Sequence, residues 1–231
     1  AATCLAATAC LRPAPRAVLP VPGPRTNPQT ITRPELSMRL GAHEGAASLA
    51  VTGSAKGDLE FHREGPSIRC SNGALRREFV IRPRTRTLFL GERSYPGALR
   101  VAVRPDGGLR AEVHLDLEEY VTGVVAGELP LLRAFPAELE AQAIAARSFA
   151  LARWAERRRG GQAPFLWDDT RDQVYVGPHV LHSSAEREAR TRLEAAVFKT
   201  RGQILVRRDE LFDARYHAAC GGSTSPLSAI P

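Results

Sequence analysis

The 231 residues suffice for one large domain or two small ones, and 43% hydrophobic with 25% charged residues describes a globular chain. Lys+Arg outnumber Asp+Glu by 32 to 25, a net +7 that favours anionic partners, although much of the excess is dispersed arginine. No zinc-finger spacing, P-loop, aromatic-rich RNA-binding motif, heptad repeat or membrane-length apolar run is present, which sets those classes aside.

Residues 1–35 read as a signal remnant followed by a Pro-rich linker: the small apolar "AATCLAATAC" precedes "LRPAPRAVLPVPGPRTNP". Thr8-Ala9-Cys10 resembles the end of a lipoprotein cleavage site, with Ala7 where leucine is usual, so Cys10 is a candidate membrane tether. A terminus without such meaning fits equally. None of the four cysteines forms a C-x-x-C pair, which argues against a zinc cluster; Cys70 and Cys220 could bridge in an oxidising compartment.

Residues 36–115 form a β-rich region. "SMRLGA", "ASLAVTG", "LEFHR", "REFVIR", "TLFLG", "LRVAVRP" and "LRAEVHL" are short runs with partial alternation. The "PDGG" turn at 105–108 predicts that Leu99–Arg104 and Leu109–Leu115 pair as a hairpin.

Residues 116–231 change pattern, to an α+β arrangement of helices and a small sheet. "DLEEYVTGVVAG" predicts a short helix with acids in its first turn, ended by Gly127 and Pro130, so that Glu128 falls just past the helix end. Gly123 and Gly127 share one face, which predicts a closely packed backbone. Pro136 opens a long helix that "GG" at 160–161 closes, and a serine cap opens another in "SSAEREARTRLEAAVFKTRG". "GQILVRRDELFDARYHAAC" reads as strand, turn, strand.

Four places could carry chemistry. Glu128 would face the partial negative charge of a helix C-terminus, which raises a carboxyl pKa and suits a general acid; an ordinary solvated glutamate is the alternative. Arg147 shares a helix face with Ile144, Leu151 and Trp154, and a guanidinium in an apolar stripe wants an anion, either a substrate or a structural carboxylate. "DDTRDQVYVG" sets acids and an amide between Trp167 and Tyr175, a mixture that suits sugar binding but also an acidic turn. "YHAACGGST" ends a strand on His217 and Cys220, a conceivable nucleophilic pair without a nameable third member.

These motifs occur in the order seen in the SpoIID/LytB family, and the chain resembles it from about Leu88 onward. The resemblance implies a bacterial cell-wall protein, secreted or periplasmic. Sporulation members are lytic transglycosylases that cut peptidoglycan glycan strands stripped of stem peptides. LytB members are described as enhancers of a wall amidase. By resemblance, Glu128 is the catalytic acid, and Arg147 is the functional arginine of the "QAxAARTYA" helix. Asp169, Thr170, Gln173 and Tyr175 match the "D-T-x-x-Q-x-Y" loop, and Tyr216 and His217 the "YH…GG" strand end. Arg147 in particular is expected to meet the lactyl carboxylate of muramic acid.

The chain also departs from the family. Where some members carry a zinc-binding His-Cys pair it has Arg171-Asp172, so neither zinc nor another cofactor is expected. The family continues beyond the glycine pair, which implies further sheet and loop after Pro231. The expected activity is lytic transglycosylation with one glutamate as acid and base, the expected partner is the glycan strand, and an amidase enhancer is the runner-up. A nucleic-acid-binding module, suggested by charge alone, stands third, and no nucleic-acid partner is expected.

Overall fold

A computed structural model describes residues 35–161, 163–177, 183–207 and 210–216. Ten strands come first: β1 (Glu35–Arg39), β2 (Ser48–Ser54), β3 (Gly57–Glu64), β4 (Ser67–Cys70), β5 (Leu75–Arg76), β6 (Glu78–Ile81), β7 (Thr87–Leu90), β8 (Arg93–Pro96), β9 (Ala98–Val103) and β10 (Leu109–Asp116). Helices α1 (Leu117–Glu128) and α2 (Pro136–Arg159), strand β11 (Leu166–Trp167), helix α3 (Ser184–Lys199) and a two-stranded pair, β12 (Val206–Arg207) and β13 (Glu210–Leu211), follow. This is an α+β fold with a β-rich N-terminal region, as the patterning suggests.

The predicted hairpin forms. β9 and β10 pair antiparallel with Val101 opposite Ala111, and the Gly107 N–H bonds Arg104 O at 3.1 Å within the turn. The five-stranded sheet has the order β11-β1-β10-β9-β6, and a six-stranded sheet runs β5-β4-β3-β2-β7-β8. β1 and β10 are antiparallel, whereas β11 is parallel to β1, with Arg39 opposite Trp167. A strand from the second half of the chain thus completes a sheet begun in the first.

Alternation decides which sheet face is apolar. Leu36 and Met38 on β1, Leu99 and Val101 on β9, and Val113 and Leu115 on β10 are all buried. Tyr120, Val121, Val124 and Val125 of α1 join them in one continuous core with Leu139 and Ala143 of α2 and Leu193 and Val197 of α3. Each fully buried aliphatic stabilises the fold by roughly 1.5–3 kcal/mol. Small alanines on α2 (Ala143, Ala146, Ala150) let the helices approach closely.

The helix ends follow from local chemistry. The Glu118 N–H bonds the Asp116 side chain at 2.9 Å, capping α1. The Ser183 hydroxyl accepts from the Glu186 N–H at 3.1 Å, and the Glu186 carboxylate accepts from the Ser183 N–H at 3.0 Å, a reciprocal cap on α3. Pro136 opens α2, where its missing N–H is harmless.

Cys70 is buried at the end of β4; Cys10, Cys220 and His217 lie outside the described residues, as do the proposed signal remnant and the "GGSTS" tail. No helix among the described residues is long and apolar enough to cross a membrane.

Candidate active site

Helix α1 carries the site. Its last residue is Glu128, not a residue beyond the end: the final turn closes with the Leu129 N–H on Val125 O at 3.1 Å. The sequence reading ended the helix at Gly127, but Gly127 keeps helical geometry. The stop is Pro130, which forces Leu129 into an extended backbone at φ −119°.

The two glycines explain where α1 lies. An alanine Cβ at Gly123 would sit 2.1 Å from the Tyr175 ring, and one at Gly127 would sit 2.7 Å from Val174 O. The segment 174–176 therefore runs against the bare face of the helix, and the Val176 N–H bonds Gly123 O at 3.0 Å. This is the close backbone that the four-residue spacing foretells.

That contact puts an N–H on the candidate acid. The Val174 N–H donates to the Glu128 carboxylate, which lowers its pKa, but burial acts more strongly and the net shift is upward. Arg147 is not among the influences on it.

Beside Glu128 stands Tyr216. Its hydroxyl accepts from Gln173 Nε2 at 2.7 Å, and Gln173 Oε1 accepts from the Tyr120 hydroxyl at 3.1 Å. Burial, reinforced by the Glu128 charge, pushes the Tyr216 phenol up to about 12, against the pull of the Gln173 hydrogen bond and the nearby Gln142 amide. Tyr120 is pushed up as well, chiefly by burial. Tyr216 is thus a neutral hydroxyl, held in place by a buried amide, with its own proton available. Gln142 turns its buried Nε2 toward this group without a well-formed hydrogen bond to any described residue.

Other candidates lie elsewhere. Arg147 is fully buried and bound at two points by Glu118: Nε to Oε1 at 3.0 Å and Nη2 to Oε2 at 2.6 Å. Its Nη1 donates to Gln203 O at 3.0 Å and Ala143 O at 3.3 Å. The expectation that it meets a substrate carboxylate is corrected: its anion is structural, from the first turn of α1.

The acidic loop is likewise braced from within. Asp168 is buried; it accepts from the Gly41 N–H at 2.7 Å and the Tyr95 hydroxyl at 3.4 Å, and lies 3.6 Å from Arg93. Asp169 pairs with Arg171 at 2.6 Å, and Thr170 is exposed at the turn. Asp172 holds Arg157 at 2.8 Å and accepts from the Trp167 N–H at 2.7 Å. Tyr175 is a core ring, stacked between Tyr95 and Tyr120 at 6.1 and 6.0 Å. Of this loop only Gln173 and the Val174 N–H reach the Glu128 cluster. Tyr120, Gln142 and Val174 escaped sequence reasoning; only Tyr120's place on the Gly123–Gly127 helix hinted at a role.

Arg171 and Asp172, where the family resemblance would set a zinc-binding pair, are otherwise engaged. Arg171 is a cation lying 3.4 Å over the Trp167 ring, and the Asp172 carboxylate is taken by Arg157 and Trp167. Among the described residues no group of three or more His, Cys, Asp or Glu could hold a metal ion.

Residues 106–206 match the family described as Stage II sporulation protein, SpoIID. The chain is 35% identical over 122 residues to Stage II sporulation protein D of Bacillus subtilis (strain 168). It is 36% identical over 124 residues to the protein of that name from Bacillus amyloliquefaciens. Residues 106–206 are a SpoIID-family segment. Each of these matches covers 50% of this chain and 35% of the relative, so the chain spans about a third of the curated SpoIID proteins it matches. Glu128 and the Gln173 loop fall inside the SpoIID segment, and Tyr216 falls beyond it.

Proposed function

We propose that the protein is a peptidoglycan lytic transglycosylase of the cell envelope, with Glu128 as acid and base. The observation that carries this reading is one partly desolvated carboxyl of raised pKa beside a hydroxyl held by a buried amide, Tyr216 on Gln173. A carboxyl whose surroundings favour its protonated form suits a general acid.

Glycoside hydrolysis ordinarily takes two carboxylates, one to protonate the leaving oxygen and one to serve water or the anomeric carbon. Among the described residues the Glu128 cluster offers one. A single carboxyl suffices when the nucleophile belongs to the substrate. Glu128 gives its proton to the glycosidic oxygen as the C1–O bond breaks. The resulting carboxylate removes the proton of the muramic acid O6 hydroxyl as O6 bonds to C1. The product is a 1,6-anhydro end, no water is consumed, and the glutamate recovers its proton. The effective concentration of an intramolecular hydroxyl replaces activation of water. In this scheme the Val174 N–H steadies the carboxylate between the two transfers, and Tyr216 donates to substrate oxygen or carboxylate. Cells would need the protein outside the membrane, whether free or tethered.

A second reading has its own support. With Arg147 enclosed by Glu118, the cluster lacks the cation that the family resemblance supplies, which suits a glycan-binding enhancer of a wall amidase. Mass spectrometry of products from glycan strands stripped of stem peptides separates the two. The enzyme reading expects anhydro-ended fragments from wild type, none from Glu128→Gln, and glycan binding by both. Wild type that yields no such fragments yet accelerates an amidase establishes the enhancer.

A further inference from the structure

On the other side of α1 lies a cavity of about 480 Å³, a usual size for a small-molecule site. Glu119 of α1 lines it, and Glu119 and Glu128 are nine residues apart, about two and a half turns, which places them on opposite faces of the helix. The two sites stand back to back across one helix.

Three features of the lining point to a ligand. Tyr175 is 1% exposed, yet its hydroxyl has no hydrogen-bond partner among the described residues. A buried hydroxyl left unsatisfied destabilises the fold, so it wants a partner. Tyr175 Cζ, which carries the hydroxyl, lies 2.6 Å from where a Cβ at Gly123 would stand, and Gly123 and Tyr175 both line the cavity, so the hydroxyl end lies at its wall. Arg86 and Arg201 line it without an ion-pair partner among the described residues, whereas Arg190 is held by Glu194 at 2.7 Å. Finally, Phe198 lines the wall and is 75% exposed, an open ring face. Two unmatched cations against one unmatched carboxylate, a stranded hydroxyl and an open ring describe an acidic, hydroxylated ring.

We infer that this cavity is a second, non-catalytic binding site for a carboxylate-bearing sugar, held by Arg86 and Arg201, the Tyr175 hydroxyl and the Phe198 ring. The choice of sugar rests on the wall-glycan reading above. A site behind the catalytic face would let the protein hold one acidic sugar while another chain is cut, or hold the wall while it acts.

The test is isothermal titration of the full chain with N-acetylmuramic acid and with its neutral counterpart N-acetylglucosamine. The acidic sugar binds, and the neutral one binds about tenfold more weakly or worse, as loss of charge-assisted bonds requires. The exposed pair Arg86→Ala/Arg201→Ala folds normally by circular dichroism and loses about tenfold in affinity for the acid. Tyr175→Phe keeps the ring and weakens binding about threefold or more. Glu128→Gln leaves this binding unchanged. Equal affinity for the two sugars, no binding of either, full retention by the arginine pair variant, or loss in Glu128→Gln overturns the assignment. Binding by a wild type that forms no anhydro product retains this site and removes the catalytic reading; product without such binding does the reverse.

Discussion

Gln173 donates to the Tyr216 hydroxyl at 2.7 Å while accepting from Tyr120 at 3.1 Å, so both ends of one buried amide are fixed. The amide bridges the two hydroxyls, and Tyr216 is thereby held beside Glu128. Tyr216→Phe keeps the ring, removes the hydroxyl and strands the Gln173 N–H. Stability should fall by about 1–3 kcal/mol, a few degrees in Tm for a chain of this size. Anhydro-sugar formation should fall about tenfold or more, mainly in kcat. Unchanged turnover in a folded variant would remove Tyr216 from the site.

Arg147 and Glu118 make the opposite kind of pair, a fully buried guanidinium held by a carboxylate at the edge of the core. Removing Glu118 leaves the Arg147 guanidinium buried and unmatched, at about 3–5 kcal/mol, and removing Arg147 costs less because water reaches Glu118. Glu118→Leu should lower Tm strongly and Arg147→Met less, and the double substitution should recover much of the loss. Arg147→Lys should not rescue, because an ammonium cannot repeat the two-point bond or reach Gln203 O as well. Thermal denaturation of wild type and these four variants measures this. Additive losses in the double variant would mean the pair is not the unit described.

These two pairs mark where sequence stops being enough. Local rules place the β9–β10 turn, the serine cap of α3, the Pro136 start and the Gly123–Gly127 contact, because each depends on residues a few positions apart. The partner of Arg147 is 29 positions away, and an apolar stripe with one arginine looks the same whether a substrate or Glu118 meets it. The acidic loop shows the same limit. Asp168, Asp169 and Asp172 resemble sugar ligands in one dimension, but in space Gly41, Arg171 and Arg157 already hold them. β11 is two residues long and pairs with β1 across the chain, which no local alternation could signal. β4 and β8 are four residues each, too short for a period of two to stand out.

Glu128 links the site to pH. Burial holds its carboxyl above the ordinary glutamate range in the folded state. The native state therefore binds this proton more tightly than the unfolded chain does. Its stabilising contribution is complete below the unfolded pKa and is lost as pH rises through the raised folded value. Glu128→Gln should thus be more stable than wild type at neutral pH, with the difference vanishing in acid. Partial exposure screens the effect, so the gain is small. Tm measured for both proteins from about pH 4 to pH 8 tests the sign. A variant less stable than wild type at neutral pH would show that the carboxylate is favoured by its surroundings, and would undercut the acid role.

Gly123 tests the geometry that creates the site. In most helices glycine to alanine gains about 1 kcal/mol from propensity. Here the added methyl would stand 2.1 Å from the Tyr175 ring, which is itself stacked between Tyr95 and Tyr120 and cannot swing aside. Overpacking of this kind costs about 1–3 kcal/mol or more and moves backbone. The net effect of Gly123→Ala should be destabilising despite the better helix former, with a lower Tm. The segment 174–176 would be pushed off α1, carrying the Val174 N–H away from Glu128. Activity should therefore fall together with stability, and it should stay low at temperatures where the variant remains folded. A stabilised, fully active Gly123→Ala would show that α1 and this segment do not meet as described.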